Sequence, residues 1–346
     1  MSRREDSRAG LVMLIGSPRS GTTWLQSMLG SHPAIATPQE TDLFRVFLEP
    51  LAAAWDKQNS GTIDAEQTRR RKGLPLTITE HEFLEAAGTL LDTTLAAIQK
   101  LKPGASTIIE KSPAHSMCTE TIVRFVPDAR FLHIIRDGRD VADSLVAANS
   151  DGWGSKWAPN SVARAGRIWE QHLLSARRAQ QHSRDRYFEL RYEDLLGPDA
   201  ADLLIATFAF CGVAIDHSES CALLDANEFS RMRTSGQVSN SILTGGESGD
   251  GELARAEPPG FFRRGGSGGW RTSWSMSDRR AFCSVAGALL ADLGYERDDS
   301  WVGSRAKPSL SVRAANRAAN SAAAVLRRFA NTIEELPRPR QKRPKS

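Results

Sequence analysis

The sequence is poor in the residue patterns that hold metal ions or disulfides. Its 346 residues include four cysteines, without a CxxC pair, and seven histidines, which form neither an HExxH motif nor a cluster with carboxylates. Zinc sites and disulfide frameworks depend on such spacings. We therefore expect no bound metal, and we expect reduced, buried thiols at Cys118, Cys211, Cys221 and Cys283.

Long apolar runs are missing as well. Residues 1–10 are polar and charged, and the first apolar run, at residues 11–15, is far shorter than a secretory or membrane-spanning segment. We therefore expect a cytoplasmic protein. A hydrophobic fraction of 40% over 346 residues allows one large core, which we assign to a single domain at residues 1–302.

Positive charge is concentrated at the C-terminus. Residues 303–346 hold 11 Lys or Arg and two Glu, a net charge of +9, whereas the rest of the chain carries −5. An apolar stripe at steps of three and four residues predicts a helix in this tail, which Pro337 ends. The stripe consists of Val312, Ala315, Ala319, Ala322, Leu326, Phe329, Ile333 and Leu336.

We expect the tail helix to dock on its own domain. A homodimer contact or peripheral binding to an anionic membrane is the alternative, because basic amphipathic helices do both. Nucleic acid is not expected as a partner. The rest of the chain is net acidic, and it shows no basic stripe with interleaved aromatic residues.

A glycine-rich segment follows the first apolar run. The predicted strand at residues 11–15 continues into GSPRSGTTW at residues 16–24, and a predicted helix follows through Leu29. Gly16 and Gly21 have the spacing of a Walker-type phosphate loop, but Thr22 stands where that loop carries its lysine. N–H groups at the helix start attract a phosphate, and Arg19 adds a cation. The alternative is a plain turn in which Thr22 caps the helix.

A second segment that runs from a strand into a helix favours phosphate binding. Residues 130–144 begin with an apolar strand and place Arg136 at its carboxyl end. Ligands bind beyond the carboxyl ends of parallel strands, so we expect Arg136 and Arg19 at the same edge of a sheet. Ser144, about two helical turns further on, can add a hydroxyl. We assign no chemistry to the charged residues at the helix start, Asp137, Arg139 and Asp140.

Strands and helices alternate along the chain. Beyond residues 11–29, strands are predicted at residues 107–109, 131–135 and 187–190, and helices at residues 43–55, 80–101, 119–125, 141–148 and 162–181. This alternation predicts an α/β fold of the P-loop type, with three layers in which helices flank a central parallel sheet. Residues 234–259, rich in Gly, Ser and Asn, predict a mobile loop.

Three motifs in this order resemble those of sulfotransferases that use 3′-phosphoadenosine 5′-phosphosulfate (PAPS). The first segment is similar to the family's 5′-phosphosulfate loop, and the segment around Arg136 is similar to its 3′-phosphate motif. Residues 263–271 (RRGGSGGWR) resemble its basic-glycine loop. Arg19 stands where many members have lysine, and in this respect the loop resembles that of the tyrosylprotein and carbohydrate branches, which have arginine. The resemblance implies in-line transfer of a sulfuryl group from PAPS to a hydroxyl or amine, with release of 3′-phosphoadenosine 5′-phosphate (PAP).

The resemblance also implies catalytic residues. Glu40, in PQET at residues 38–41, matches a catalytic glutamate of the tyrosylprotein branch and is the candidate base. Lys111 matches the lysine of a Lys-x-Pro motif that stabilises the transferring group, a role shared with Arg19. His115 is the alternative base, since small-molecule members use a histidine, although it matches their motif poorly. The alternatives to these catalytic roles are that Glu40 caps or charges the start of the following helix and that Lys111 is a surface lysine before a turn.

The implied nucleotide contacts come from all three motifs and from Tyr192, which follows the predicted strand at residues 187–190. They are Arg19, Ser20, Gly21, Thr22, Thr23, Arg136, Ser144, Tyr192, Arg263, Arg264 and Gly265. The acceptor is unidentified and is a carbohydrate, lipid, small molecule or peptide. Two rival functions stay open: a P-loop nucleotide kinase or ATPase, which Thr22 disfavours, and a nucleotide-binding protein without turnover.

Overall fold

The computed structural model describes residues 10–60, 73–228, 242, 261, 265–297 and 299–303. The chain divides into two units, residues 1–297 and residues 298–346. The second unit is described at residues 299–303, which include the short 3-10 helix Asp299–Val302. The predicted tail helix lies outside the described residues, and so does the predicted loop at residues 234–259 apart from residue 242.

The sheet has five parallel strands in the order β2-β3-β1-β4-β5. Strand β1 (Gly10–Ile15) pairs with β3 (Thr107–Lys111) on one side and with β4 (Arg130–Ile135) on the other. Strand β2 (Ile35–Ala36) pairs with β3, and β5 (Tyr187–Arg191) pairs with β4. The predicted central parallel sheet is confirmed. Strand β2 was not predicted, because two residues are too few to show a periodic pattern.

The helices flank this sheet. Among the described residues they are α1 (Thr22–Gly30), α2 (Glu49–Ser60), α3 (Glu80–Leu101), α4 (Thr119–Phe125), α5 (Gly138–Ser150), α6 (Val162–His182), α7 (Ala200–Phe210), α8 (His217–Ala226), α9 (Trp270–Ser273) and α10 (Met276–Asp292). Helices α3 and α4 begin and end at the predicted residues. The predicted helix at residues 43–55 is instead a π-helical segment, Leu43–Leu48, followed by α2.

Hydrophobic residues cover both faces of the sheet, as expected for parallel strands. Val12 and Leu14 of β1 belong to one buried cluster, to which α1 and α7 contribute. Met13 and Ile15 belong to a second cluster, to which α3, α4 and α6 contribute. Because successive side chains alternate between the two faces, the single strand β1 contributes to both cores. This arrangement confirms the predicted three layers and leaves the loops at the carboxyl ends of the strands to form a site.

The cysteines differ in their exposure. All four are free; Cys118 and Cys211 are buried, whereas Cys221 and Cys283 are partly exposed. Burial raises the pKa of the Cys118 and Cys211 thiols to about 12. The prediction of buried thiols is therefore right for two of the four residues and wrong for the other two.

The described residues offer neither a metal site nor a membrane span. The described ranges contain no group of three or more His, Cys, Asp or Glu residues arranged to hold a metal ion. No helix within these ranges combines the length and the apolar character that crossing a membrane requires.

Candidate functional site

The predicted site residues lie together at the carboxyl edge of the sheet. The loop at residues 16–21 follows β1, Lys111 ends β3, Arg136 follows β4, and Tyr192 follows β5. Glu40 comes four residues after the end of the short strand β2, which the sequence did not reveal. Arg263 and Arg264 lie outside the described residues, whereas Gly265 is described. Parallel pairing explains the convergence, since it places all the carboxyl ends at one edge.

Two glycines shape the loop after β1. Gly21 has a φ of 95° and precedes the first residue of α1 without a side-chain cap. A Cβ atom at Gly21 would lie 2.5 Å from the Tyr192 ring, and one at Gly16 would lie 2.7 Å from the carbonyl oxygen of Ile134. Both positions therefore require glycine. This close path presents the first N–H groups of α1, which have no acceptor within the helix.

The hydroxyl residues at the end of this loop and at the first position of α1 are buried. Thr22, at the position of the Walker lysine, is 4% exposed, and Ser20 is 1% exposed. The Ser20 hydroxyl has no hydrogen-bond partner among the described residues. A buried hydroxyl without a partner is costly in free energy. It therefore fits a site whose ligand supplies the missing acceptor.

Arg19 links the loop to α5. Its backbone φ is 73°, a left-handed conformation that is uncommon outside glycine. Its Nε donates a hydrogen bond to Ser144 Oγ at 3.0 Å. The guanidinium also lies over two aromatic rings, with Cζ 5.3 Å from the centroid of Trp153 and 4.3 Å from that of Phe261. Neither aromatic residue was predicted, because neither belongs to a motif that the sequence revealed.

Arg136 joins the first and third motifs. Its Nη1 donates to the carbonyl oxygen of Arg19 at 3.1 Å, and its Nη2 donates to that of Gly266 at 2.8 Å. The guanidinium carbon lies 4.2 Å from the centroid of the Tyr192 ring. The Tyr192 hydroxyl in turn donates to the carbonyl oxygen of Gly265 at 2.5 Å. One arginine therefore fixes the distance between two loops that are far apart in sequence.

Asp140 anchors the loop of the third motif, at Ser267 and Gly268, although the sequence analysis assigned it no role. Its Oδ2 accepts a hydrogen bond from the Gly268 N–H at 2.7 Å and lies 3.4 Å from Ser267 Oγ. Burial raises the pKa of Asp140 despite the hydrogen bond from Gly268. Its neighbours have structural roles too, since the Asp137 side chain caps α5 and pairs with the buried Arg139. A single sequence carries no signal that distinguishes Asp140 from an ordinary charged helix start.

Glu40 and Lys111 form an ion pair beside the first loop. Lys111 Nζ lies 2.5 Å from Glu40 Oε1 and 3.3 Å from Thr23 Oγ1. The lysine side chain is 4% exposed, whereas that of the glutamate is 42% exposed. The alternative of a surface lysine is therefore wrong. Helix capping by Glu40 is wrong as well, since Asp42 is the residue that precedes the π-helical segment.

His115 is placed differently from an acceptor-facing base. It is fully buried, and its Nε2 accepts a hydrogen bond from the Phe44 N–H at 3.2 Å. Its Nδ1 lies 2.5 Å from Oε2 of Glu110, a residue that the sequence analysis did not single out. One ring nitrogen therefore accepts a backbone hydrogen bond, and the other faces a buried carboxylate inside the protein. This environment disfavours His115 as the base and leaves Glu40 as the candidate.

Comparison with known proteins gives partial matches to curated relatives. The chain is 27% identical over 137 residues to the protein-tyrosine sulfotransferase of Drosophila melanogaster, covering 40% of this chain and 25% of that protein. It is 30% identical over 139 residues to a putative protein-tyrosine sulfotransferase of Caenorhabditis briggsae, covering 39% of this chain and 42% of that protein. The matches thus span less than half of either relative.

A solved structure and a family model extend the comparison. The mouse sulfotransferase SULT7A1 complexed with PAP matches with a TM-score of 0.50 at 16% identity, covering 91% of this chain and 90% of that chain. This likeness supports the fold. The model of the Sulfotransferase family matches residues 12–216, which run from within β1 through β5 and include Glu40, Lys111 and Arg136. On this match, which covers more than half of its length, the chain belongs to the sulfotransferase family.

Proposed function

We propose that this protein transfers a sulfuryl group from PAPS to a hydroxyl or amine of an acceptor and releases PAP. The observation that carries the proposal is the meeting of three loops at one sheet edge, where Arg136 bonds two of them beside the Glu40–Lys111 pair. Membership of the sulfotransferase family supports this function. The PAP bound to the mouse relative supports PAPS as the donor.

The residues of the first loop fit a phosphosulfate group. The N-terminus of α1 offers N–H donors, and the buried Ser20 hydroxyl lacks a partner among the described residues. Arg19 brings a fixed positive charge to the same loop. Arg136, Ser144, Tyr192 and Gly265 are the described residues that we assign to the rest of the nucleotide. PAPS supplies the activated sulfuryl group and, in PAP, its leaving group.

Glu40 takes the proton of the acceptor in this proposal. Its carboxylate is partly exposed and accessible to an incoming hydroxyl, whereas its partner Lys111 is buried. When the carboxylate is protonated, it loses the charge that balances the lysine. The Lys111 charge is then available to stabilise the negative charge that develops on the leaving phosphate, together with Arg19. The pair therefore couples proton removal to stabilisation of the leaving group.

Titration calorimetry tests the donor. Purified protein is titrated with PAP, and separately with ATP with and without Mg²⁺. We expect binding of PAP that does not require Mg²⁺. Preferential binding of Mg²⁺-ATP would overturn the proposal in favour of a P-loop kinase or ATPase, since those enzymes hold the β- and γ-phosphates through the metal.

Replacement of the base separates an enzyme from a protein that only binds nucleotide. Glu40→Gln is assayed with ³⁵S-labelled PAPS and three probe acceptors: an acidic tyrosine peptide, 2-naphthol and a chitin oligosaccharide. We expect turnover to fall by about 100-fold or more, within the range for general bases, while PAP affinity is kept. Glu49→Gln is the matched control, because Glu49 pairs with Arg45 on the surface. Unchanged turnover in Glu40→Gln would remove Glu40 from the mechanism.

The cytoplasmic location and the contacts of the C-terminal tail stay predictions. Fractionation of cells that express the full chain tests the location. Sedimentation of the purified protein, alone and with anionic vesicles, tests a homodimer against membrane binding.

A further inference from the structure

A buried carboxylate and imidazole lie behind the Glu40–Lys111 pair. Glu110 is 2% exposed and His115 is 0% exposed, and Nδ1 of the histidine lies 2.5 Å from Oε2 of the glutamate. Because Nε2 accepts the Phe44 N–H, a neutral His115 carries its proton on Nδ1, the nitrogen that faces Oε2 of Glu110. The proposed chemistry uses neither group. A charged carboxylate is costly to bury, so its partners indicate what it holds in place.

The second oxygen of Glu110 holds the residue that follows Glu40. Its Oε1 accepts a hydrogen bond from Thr41 Oγ1 at 2.6 Å and from Ser112 Oγ at 3.2 Å. Glu110 directly precedes Lys111 in β3. The hydrogen bond from Thr41 to the Glu110 carboxylate thus links the residue that follows the base Glu40 to the strand residue that precedes Lys111, across 69 residues of chain.

The turn that is held in this way has a strained backbone. Asp42 has a φ of 49°, in the left-handed region, which is unfavourable for residues other than glycine. Its N–H donates to Ser112 Oγ at 3.1 Å, and the Phe44 N–H donates to His115. The segment from Thr41 to Phe44 is therefore fixed by side chains from β3, from Ser112 that follows it, and from the 3-10 helix Pro113–Met117.

We propose that Glu110 and His115 are positioning residues that keep the Glu40 carboxylate against Lys111. The inference rests on the proposed function, in which Glu40 is the base. The buried pair touches no reacting atom and acts through Thr41 and through the turn that follows it. Such a shell matters because a displacement of about 1 Å in a reacting group can lower a rate by about 100-fold.

Two variants, one on each side, disrupt the hydrogen bond between Thr41 and Glu110. Thr41→Val removes the hydroxyl that bonds Glu110 and keeps the side-chain shape, whereas Thr41→Ser keeps the hydroxyl. Glu110→Gln removes the charge of the buried carboxylate. The control is Thr107→Val, because Thr107 is a buried residue of the same strand whose hydroxyl donates to the Cys211 carbonyl at 2.9 Å, away from Glu40. It measures the general effect of losing a buried hydroxyl from β3.

Hydrogen exchange provides a test that needs no acceptor. We expect amides in a peptide covering residues 39–44 to exchange at least tenfold faster in Thr41→Val and Glu110→Gln than in the unchanged protein. Exchange there should be unaffected in Thr107→Val and within threefold of the unchanged protein in Thr41→Ser. Equal exchange in Thr41→Val and Thr107→Val would overturn the inference even if Glu110→Gln fails to fold.

Kinetics provide the second test, with the probe acceptor that gives the highest rate. We expect Thr41→Val to lower kcat by about 10- to 100-fold, with the KM for PAPS and the PAP affinity unchanged, and Thr41→Ser to restore most of kcat. A lower kcat in Thr41→Val together with full kcat in Glu40→Gln would contradict Glu40 as the base, but it would not contradict the positioning contacts. A loss in Glu40→Gln with full kcat in Thr41→Val would contradict the positioning role alone.

Discussion

Replacing Arg136 by lysine tests whether one guanidinium organises the nucleotide site. Arg136→Lys keeps the positive charge but cannot reproduce the planar fork that reaches two carbonyl oxygens, of Arg19 and of Gly266. It also weakens the contact with the Tyr192 ring, whose centroid lies 4.2 Å from the guanidinium carbon. The variant therefore loosens the first loop from the third while the local charge stays the same.

The two hydrogen bonds of Arg136 set the size of this effect. A hydrogen bond from a charged group contributes about 1.5–3 kcal/mol, and an ammonium group can replace one of the two bonds but not both. The loop that is released must then be ordered when PAP binds, so the loss appears in the binding free energy. Since about 1.4 kcal/mol corresponds to tenfold, we expect the Kd for PAP to rise by about 10- to 100-fold.

Calorimetric titration with PAP measures this change, with Arg130→Lys as the matched control. Arg130 lies at the opposite end of the same strand, and its Nη1 donates to the carbonyl oxygen of Phe210 at 3.1 Å. We expect the control to bind PAP with unchanged affinity. Equal affinity in Arg136→Lys and in the unchanged protein would refute the reasoning, and so would equal weakening in both variants.

Two further predictions concern backbone shape and acid stability. Gly21→Ala should weaken PAP binding at least tenfold and destabilise the fold by about 2 kcal/mol in urea unfolding, because the new Cβ would lie 2.5 Å from the Tyr192 ring. The control is Gly152→Ala, which isolates the backbone strain, since Gly152 has a φ of 87° and a Cβ there would meet no atom within 4 Å. Burial raises the pKa of Glu189, but the contacts with His133 and Arg177 outweigh burial, so the pKa lies well below its usual range. The stability that the charged Glu189 contributes is therefore lost as the pH falls below about 4. Glu189→Gln should therefore lower the free energy of unfolding in urea by about 1–2 kcal/mol at pH 7, a modest value because the Arg177–Glu189 pair is partly open to solvent. The loss should be smaller at pH 3.5.

Local pattern was enough to predict the strands that carry the site. The apolar runs that became β1, β3, β4 and β5 were predicted within two residues of their ends, because each is bounded by glycine, proline or charged residues. The carboxyl ends of parallel strands share an edge, so these strands alone were enough to predict that Arg19 and Arg136 come together. Their carbonyl contact shows that they do.

Contacts between distant segments could not be predicted in this way. Glu110 meets Thr41 across 69 residues, and Asp140 meets Gly268 across 128 residues. Such pairings depend on the order β2-β3-β1-β4-β5, and the short strand β2 left no pattern in the sequence. Lysine is usually exposed, so the burial of Lys111 also follows from tertiary packing and not from residue type.

The sheet order explains how a loop without the Walker lysine can hold a phosphosulfate group in the proposed function. Strands β3 and β4 flank β1, so Lys111 and Arg136 stand on either side of the loop that carries Arg19. Each cation is fixed by a neighbouring element: Lys111 by Glu40, Arg19 by Ser144, and Arg136 by two carbonyl oxygens. Because these groups are held before a ligand arrives, little reorganisation accompanies the development of charge. The parallel sheet thus performs the positioning that a metal ion performs for triphosphates in P-loop enzymes.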